Sequence, residues 1–232
     1  MLPHPMQLRI VIPTLDEAST ITEALAHARR LSDDVVVSDG GSRDRTVDLV
    51  RDQGVPVVVG PPGRGGQLDR GAQAAVGGRQ PDAFLFLHAD TRLPDDAGDR
   101  VRRALVDHVG GGFHGHYESG GWWLVQLGNR LIRWRTAWTG CPLGDQAQFV
   151  RRDAYRQLEG FRDWPILEDL DLIRRLRSVG PTCILDGPAT TSARRFEHQG
   201  LLRTIGVNWL IWGLYGLGVS PQRLGRLYRR IR

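Results

Sequence analysis

The chain contains no lysine. All 31 basic side chains are arginine, set against 26 acids, and the formal net charge is +5. Such a balance favours anionic partners such as nucleotide diphosphates or membrane surfaces, although clustering matters more than the total. The densest clusters, Arg151-Arg152, Arg174-Arg175-Arg177, Arg194-Arg195 and the tail from Arg223 to Arg232, read first as solvated helix faces, and no nucleic-acid partner is expected. Cysteine is scarce as well. Cys141 and Cys183 form neither a Cys-x-x-Cys pair nor a zinc spacing, which excludes a disulfide framework and points to the reducing cytoplasm. No charged segment followed by a long apolar one opens the chain, so no secretory signal is expected. Long apolar runs are missing too: the best candidate, 205–219, is interrupted by Asn208 and falls short of the roughly 20 residues needed to span a bilayer. It reads as a buried or homodimer-forming helix; the alternative is a helix lying on the inner face of the membrane ahead of the basic tail. With no repeat and no linker, 232 residues make one compact domain.

What is present is βαβ punctuation. Strand-like runs at 8–12, 35–37, 55–59 and 84–87 alternate with helical patterns at about 19–31, 46–53 and 67–76. Further on, a strand over 110–117, a Trp-rich helix over 122–138, a strand near 148–150 and two more helices are expected. The reading is an α/β domain with a Rossmann-like nucleotide-binding half at about 8–110. A half at about 111–200 completes a mixed central sheet and supplies an acceptor side, and an apolar helical segment with a basic tail covers about 201–232.

Polar groups gather where such strands end. Pro13-Thr14-Leu15-Asp16-Glu17 leaves the first strand, Ser38-Asp39-Gly40-Gly41-Ser42 the second, and His88-Ala89-Asp90 the buried run 84–87. Open α/β sheets place their ligands at these carboxyl ends. Asp39 can accept from a base N–H or a ribose hydroxyl, and the two glycines allow close backbone approach. Gly63-Arg64-Gly65-Gly66-Gln67 precedes a helix and offers backbone N–H groups and a guanidinium to phosphate. In Trp164-Pro165-Ile166-Leu167-Glu168-Asp169-Leu170-Asp171-Leu172 a helix begins near Leu167. At about 100° per residue, Leu172, Ile173, Leu176 and Val179 define its apolar face. Asp169 lies about 30° from the centre of that face and is expected to point inward. Asp171 lies about 130° away and is expected in an exposed ion pair with Arg174 or Arg175. Glu168 is intermediate, and an acid at a helix start also serves the helix dipole.

In this order, these segments resemble the signature of inverting family 2 glycosyltransferases with the GT-A fold, over nearly the whole chain. The resemblance implies that Pro13, Thr14, Glu17, Asp39, Gly41, Arg64 and Gln67 hold a nucleotide-sugar donor, UDP-linked by preference. It implies that Asp90, the last acid of the family's Asp-x-Asp, binds a divalent cation, Mn²⁺ or Mg²⁺, with His88 in place of the first acid. Imidazole favours transition metals over Mg²⁺, and His198 is a further candidate ligand. The resemblance also implies that Asp169, next to Glu168, takes the proton of a small-molecule or lipid acceptor. Gly144-Asp145-Gln146, Phe149-Val150-Arg151-Arg152 and Thr190-Thr191-Ser192-Ala193-Arg194-Arg195 resemble a small bacterial subgroup associated with arsenosugar biosynthesis. The Gln-x-x-Arg-Trp motif of processive synthases is absent, so transfer of a single sugar is expected. Two other readings stay open: a nucleotidyltransferase built on the Gly63–Gly66 loop, and a non-catalytic protein bound to a membrane surface or partner. Trp122 and Trp123 are expected to fill core, and His114 and His116 share one strand face without a pattern that ties them to the acceptor.

Overall fold

The computed structural model describes residues 6–76, 78, 80–118, 123–191 and 201–231. Strand β1 (Leu8–Thr14) shows how the sequence builds the sheet. Leu8, Ile10 and Ile12 enter one apolar core and Val11 the other, as a strand covered on both faces requires. Its neighbours β2 (Asp34–Asp39) and β4 (Ala83–Phe86) run parallel to it, and β3 (Val57–Val59) runs parallel to β2. Helices α1 (Ile21–Leu31), α2 (Thr46–Asp52) and α3 (Arg64–Gln73) connect these strands. Helix α3 starts three residues before the expected position, directly after Gly63, whose φ of 146° suits glycine.

After β4 come β5 (Thr91–Arg92), α4 (Ala97–Ala104), β6 (Gly110–Tyr117) and α5 (Trp123–Thr139). A 3-10 turn (Gly144–Gln146), β7 (Phe149–Arg151), α6 (Arg152–Gln157), α7 (Glu168–Val179) and β8 (Thr182–Thr191) follow. Helices α8 (Leu201–Gly216) and α9 (Pro221–Ile231) complete the described chain. The sheet runs β3-β2-β1-β4-β7-β6-β8-β5. Strand β7 is antiparallel to both β4 and β6, whereas β8 is parallel to β6. The triple glycine that opens β6 lets strands approach closely: a Cβ on Gly110 would lie 2.4 Å from the Phe149 carbonyl oxygen, and one on Gly111 would lie 2.0 Å from that of Cys183.

One core lies between the sheet and α1, α2 and α4, where Leu25, Leu31, Val50 and Val101 join Leu8, Ile10 and Ile12 of β1. The other joins Val11, Phe84 and Phe86 to α3, α6, α7, α8 and α9 through Leu68, Tyr155, Ile173, Ile211 and Leu224. Each fully buried Leu or Ile contributes about 1.5–3 kcal/mol. The segment at 205–219 thus packs against protein through Ile211, although Trp209, Leu210 and Leu217 on it are exposed. Trp123 does not fill core as expected; it stands on the outer side of α5 and is 68% exposed. Trp122 lies outside the described residues. Among the described residues, no helix is long and apolar enough to cross a membrane.

Candidate active site

Strands β1, β2 and β4 end side by side, and the strand order reverses between β1 and β4, which opens a crevice where the loops after these strands meet. Asp39 closes β2 and is fully buried. Its Oδ1 accepts from the N–H groups of Gly41 (2.8 Å) and Ser42 (2.7 Å), and its Oδ2 from the hydroxyls of Thr14 (2.8 Å) and Ser42 (2.5 Å). Burial pushes this carboxyl up, but the hydrogen bonds, led by those of Ser42, outweigh it and hold the group below the usual carboxylate range. Buried Gln67 donates from Nε2 to the carbonyls of Thr14 (2.8 Å) and Ser38 (3.0 Å) and accepts from the Gly63 N–H (3.1 Å). Thr14, Asp39 and Gln67 therefore fasten the start of α3 to the ends of β1 and β2. Pro13, Glu17, Gly41 and Arg64 keep accessible surface around them.

His88 and Asp90, both half-buried, follow β4, and the N-terminus of α7 faces them. Leu167 adopts φ 65°, a conformation a bulky residue holds only when its surroundings fix it, and its carbonyl accepts the N–H of Asp171 (3.0 Å) to start the helix. Asp169 Oδ2 then accepts the N–H of Gly144 (2.6 Å), and Gln148 Nε2 donates to the Asp169 carbonyl (3.0 Å). A Cβ on Gly144 would lie 3.1 Å from Asp169 Oδ2 and 3.5 Å from His88 Nε2, so the two side chains flank this glycine. Arg64, His88, Asp90, Glu168 and Asp169 line one cavity of about 360 Å³.

Charge in this cavity is finely balanced. Glu168 is only 3% exposed; burial first, and the neighbouring Asp169 carboxylate second, push its pKa up to about 7. Arg64 Nε lies 3.7 Å from Glu168 Oε1 and pulls the other way. The Arg64 side chain keeps 43% of its surface exposed; the desolvation it does undergo works against its charge, and the carboxylates of Glu168, Asp169 and Asp145 more than restore it. An acid poised near neutrality beside a second carboxylate and a nearby guanidinium suits proton transfer next to an anionic ligand. The cation donors are fewer. Among the described residues, no three His, Cys, Asp or Glu gather as a metal site, and His198 lies outside the described residues.

The profile described as Glycosyl transferase family 2 matches residues 9–158, about two thirds of the chain. The chain belongs to glycosyltransferase family 2. No curated protein sequence matches it. Among solved structures, a mannosyltransferase from Pyrobaculum calidifontis in complex with GDP-Man and Mn²⁺ is similar at TM-score 0.63 and 14% identity, over 99% of this chain and 70% of that one. Glucosyl-3-phosphoglycerate synthase from Mycobacterium tuberculosis, with Mn²⁺, UDP and phosphoglyceric acid, is similar at TM-score 0.56 and 21% identity, over 81% of this chain and 69% of that one. Residues 1–349 of TarS from S. aureus, with UDP-GlcNAc, are similar at TM-score 0.59 and 16% identity, over 80% of this chain and 59% of that one. At such identities the likeness shows the GT-A fold.

In this glycosyltransferase several cavity residues escaped the sequence reading. Arg135 comes from α5, where it donates to Gln146 Oε1 (2.8 Å) and lies 5.3 Å from the Trp212 ring. Asn208, Ile211 and Trp212 come from α8 and Tyr228 from α9, so the carboxyl-terminal helices wall the cavity. Tyr117 donates to Asp145 Oδ2 (2.6 Å) on the same wall. His114 and His116 do not line it. One expectation is corrected: Asp171 is buried, not exposed. The loop after α6 folds over this side of α7, and Arg175 donates from Nε to Asp171 Oδ2 (2.7 Å) and from its other nitrogens to the carbonyls of Leu158 and Gly160. Arg162 approaches the same carboxylate at 3.3 Å. The glycines that suggested a phosphate loop have a packing role as well, since a Cβ on Gly65 would lie 3.1 Å from the Arg162 carbonyl oxygen.

Proposed function

We propose that the enzyme moves a single sugar from a UDP-linked donor to a small-molecule or lipid acceptor, with a divalent cation and with inversion at the anomeric carbon. The observation that carries this reading is the shared cavity, which Arg64, His88 and Asp90 line together with Glu168 and Asp169 at the start of α7. Support comes also from the similar structures, which are complexes with GDP-Man and Mn²⁺, with UDP and Mn²⁺, and with UDP-GlcNAc.

The nucleotide would lie along Pro13, Glu17 and Gly41, on loops that Thr14, Asp39 and Gln67 hold in shape, with Arg64 directed to phosphate. Asp90 and His88 offer a carboxylate and an imidazole to a cation, with His198 as the third donor. Two or three protein ligands fit Mn²⁺ or Mg²⁺, which commonly complete their coordination with substrate phosphates and water. When bound, the cation supplies charge stabilisation to the departing diphosphate. Asp169 takes the proton of the acceptor hydroxyl, which attacks the anomeric carbon opposite the diphosphate; one such displacement inverts the configuration. Glu168, buried against Arg64, positions that guanidinium. On this reading 8–110 is the donor half and 111–200 the acceptor half, where Asp145 and Gln146 belong to the stretch resembling the arsenosugar-associated subgroup. Cys141 and Cys183 are free thiols, and we place the reaction in a reducing compartment such as the cytoplasm.

Calorimetric titration of UDP with and without Mn²⁺ tests the donor site. Wild type should bind more tightly with metal, and Asp90→Ala should lose that gain. Equal affinity of both proteins under both conditions would defeat the assignment.

A further inference from the structure

Helix α5 is apolar on the wrong side for a helix of a water-soluble wall. Its inward residues include Val125, Asn129 and Thr136, with Asn129 bonded to both backbone groups of Tyr117. Trp123, Leu127, Leu131, Trp134 and Trp138 are instead between 45% and 77% exposed. At about 100° per residue the two sets centre roughly 180° apart, so the exposed residues form one outer stripe. Trp134 and Trp138 stack within it, their ring centroids 5.7 Å apart. Helix α8, joined to α5 where Arg135 lies over Trp212, adds exposed Trp209 and Leu210, and the turn after it adds Leu217. An exposed apolar stripe of this kind marks an interaction site.

Charge identifies the partner. Residues 123–144 and 201–232, which contain α5, α8 and α9, hold nine of the 31 arginines and none of the 26 acids, so the remainder of the chain is net negative. Exposed Arg130 and Arg133 border the α5 stripe. Tryptophan favours the headgroup level of a bilayer, where its ring is buried and its N–H stays wet, and arginine favours anionic lipid beside it. A second copy of the chain suits this face poorly. A two-fold contact between α5 helices would set arginines against arginines with no acid on either side. We propose that the outer faces of α5 and α8 dock on an anionic lipid bilayer, peripherally and without spanning it. The same two helices carry Arg135, Asn208, Ile211 and Trp212 into the cavity, so docking would bring the cavity wall to the lipid surface.

Flotation of the full chain tests this, with vesicles of phosphatidylcholine alone and of equal parts phosphatidylcholine and phosphatidylglycerol. Wild type should float with the mixed vesicles at low salt and be largely released at high salt. Replacing Trp123, Trp134 and Trp138 together by Ser should weaken binding about tenfold or more. Arg130→Glu with Arg133→Glu, which leaves the stripe intact, should remove the preference for anionic vesicles and decides the matter if the tryptophan variant does not fold. UDP affinity, measured on the same variants, should be unchanged, which separates a failure of docking from a failure of the donor site. The proposal is overturned if wild type does not bind the mixed vesicles, or if both variants bind them as wild type does. A dimer of wild type in light scattering, broken by the tryptophan variant without any vesicle binding, would also overturn it.

Discussion

Replacing Glu168 by Gln should stabilise the protein above neutral pH and change it little near pH 5. The carboxyl is 3% exposed, and burial together with Asp169 moves its pKa from 4.5 to about 7. Between those values the folded state keeps a proton that the unfolded chain has lost. Stability therefore falls as pH rises from the unfolded pKa through the folded one. A shift of this size corresponds to about 3 kcal/mol once the whole interval is crossed. Glutamine avoids that cost while keeping size and hydrogen bonding. It deprives Arg64 of a charged partner, but that side chain is 43% exposed and rehydrates, so the loss is small. The net gain at about pH 8 should be roughly 1–3 kcal/mol. Urea unfolding of both proteins at the two pH values measures it, and the difference between them is the quantity to read. His27 and His114 have pKa values lowered first by burial, so their contribution is lost as pH falls, but it is common to both proteins and cancels. If wild type does not lose stability relative to Glu168→Gln between about pH 5 and pH 8, Glu168 is not the poised acid described.

Asp169→Asn should keep UDP binding while single-turnover transfer falls about 10²-fold or more, and a wild-type rate, or a product that retains the donor's configuration, would remove Asp169 as the base. His88→Asp should shift metal preference in activity titrations from Mn²⁺ towards Mg²⁺; an unchanged ratio would place His88 away from the cation. Asp171→Asn should cost about 3 kcal/mol in denaturant unfolding, because it leaves Arg175 and Arg162 beside a buried neutral group, and unaltered stability would refute the buried pair.

The strands of the first half could be read because parallel strands covered on both faces are spelled as short apolar runs, and 8–12, 35–37 and 84–87 each fall within two residues of the observed β1, β2 and β4. Strand β8 could not. It contains Asp186-Gly187-Pro188, which reads as a turn, and most of its residues are only half-buried. Long pairing with β6, with a register shift between Phe113 and His114, makes it a strand. Asp171 failed for a related reason. A helical wheel assumes one buried face, whereas α7 is covered by the sheet side, by the loop after α6 and by the carboxyl-terminal helices.

Taken alone, the sequence determined the βαβ order, the family signature and the acids at strand and helix ends, because these are local patterns of apolar period and turn chemistry. Tertiary structure decided which of those groups share a cavity. It turned Thr14, Asp39 and Gln67 into buried fasteners and raised Glu168 by burying it beside Asp169. It also brought Arg135, Trp212 and Tyr228 from distant helices to the cavity wall. Burial, and proximity between residues far apart in the chain, depend on what packs over each segment, and no local window of sequence carries that information.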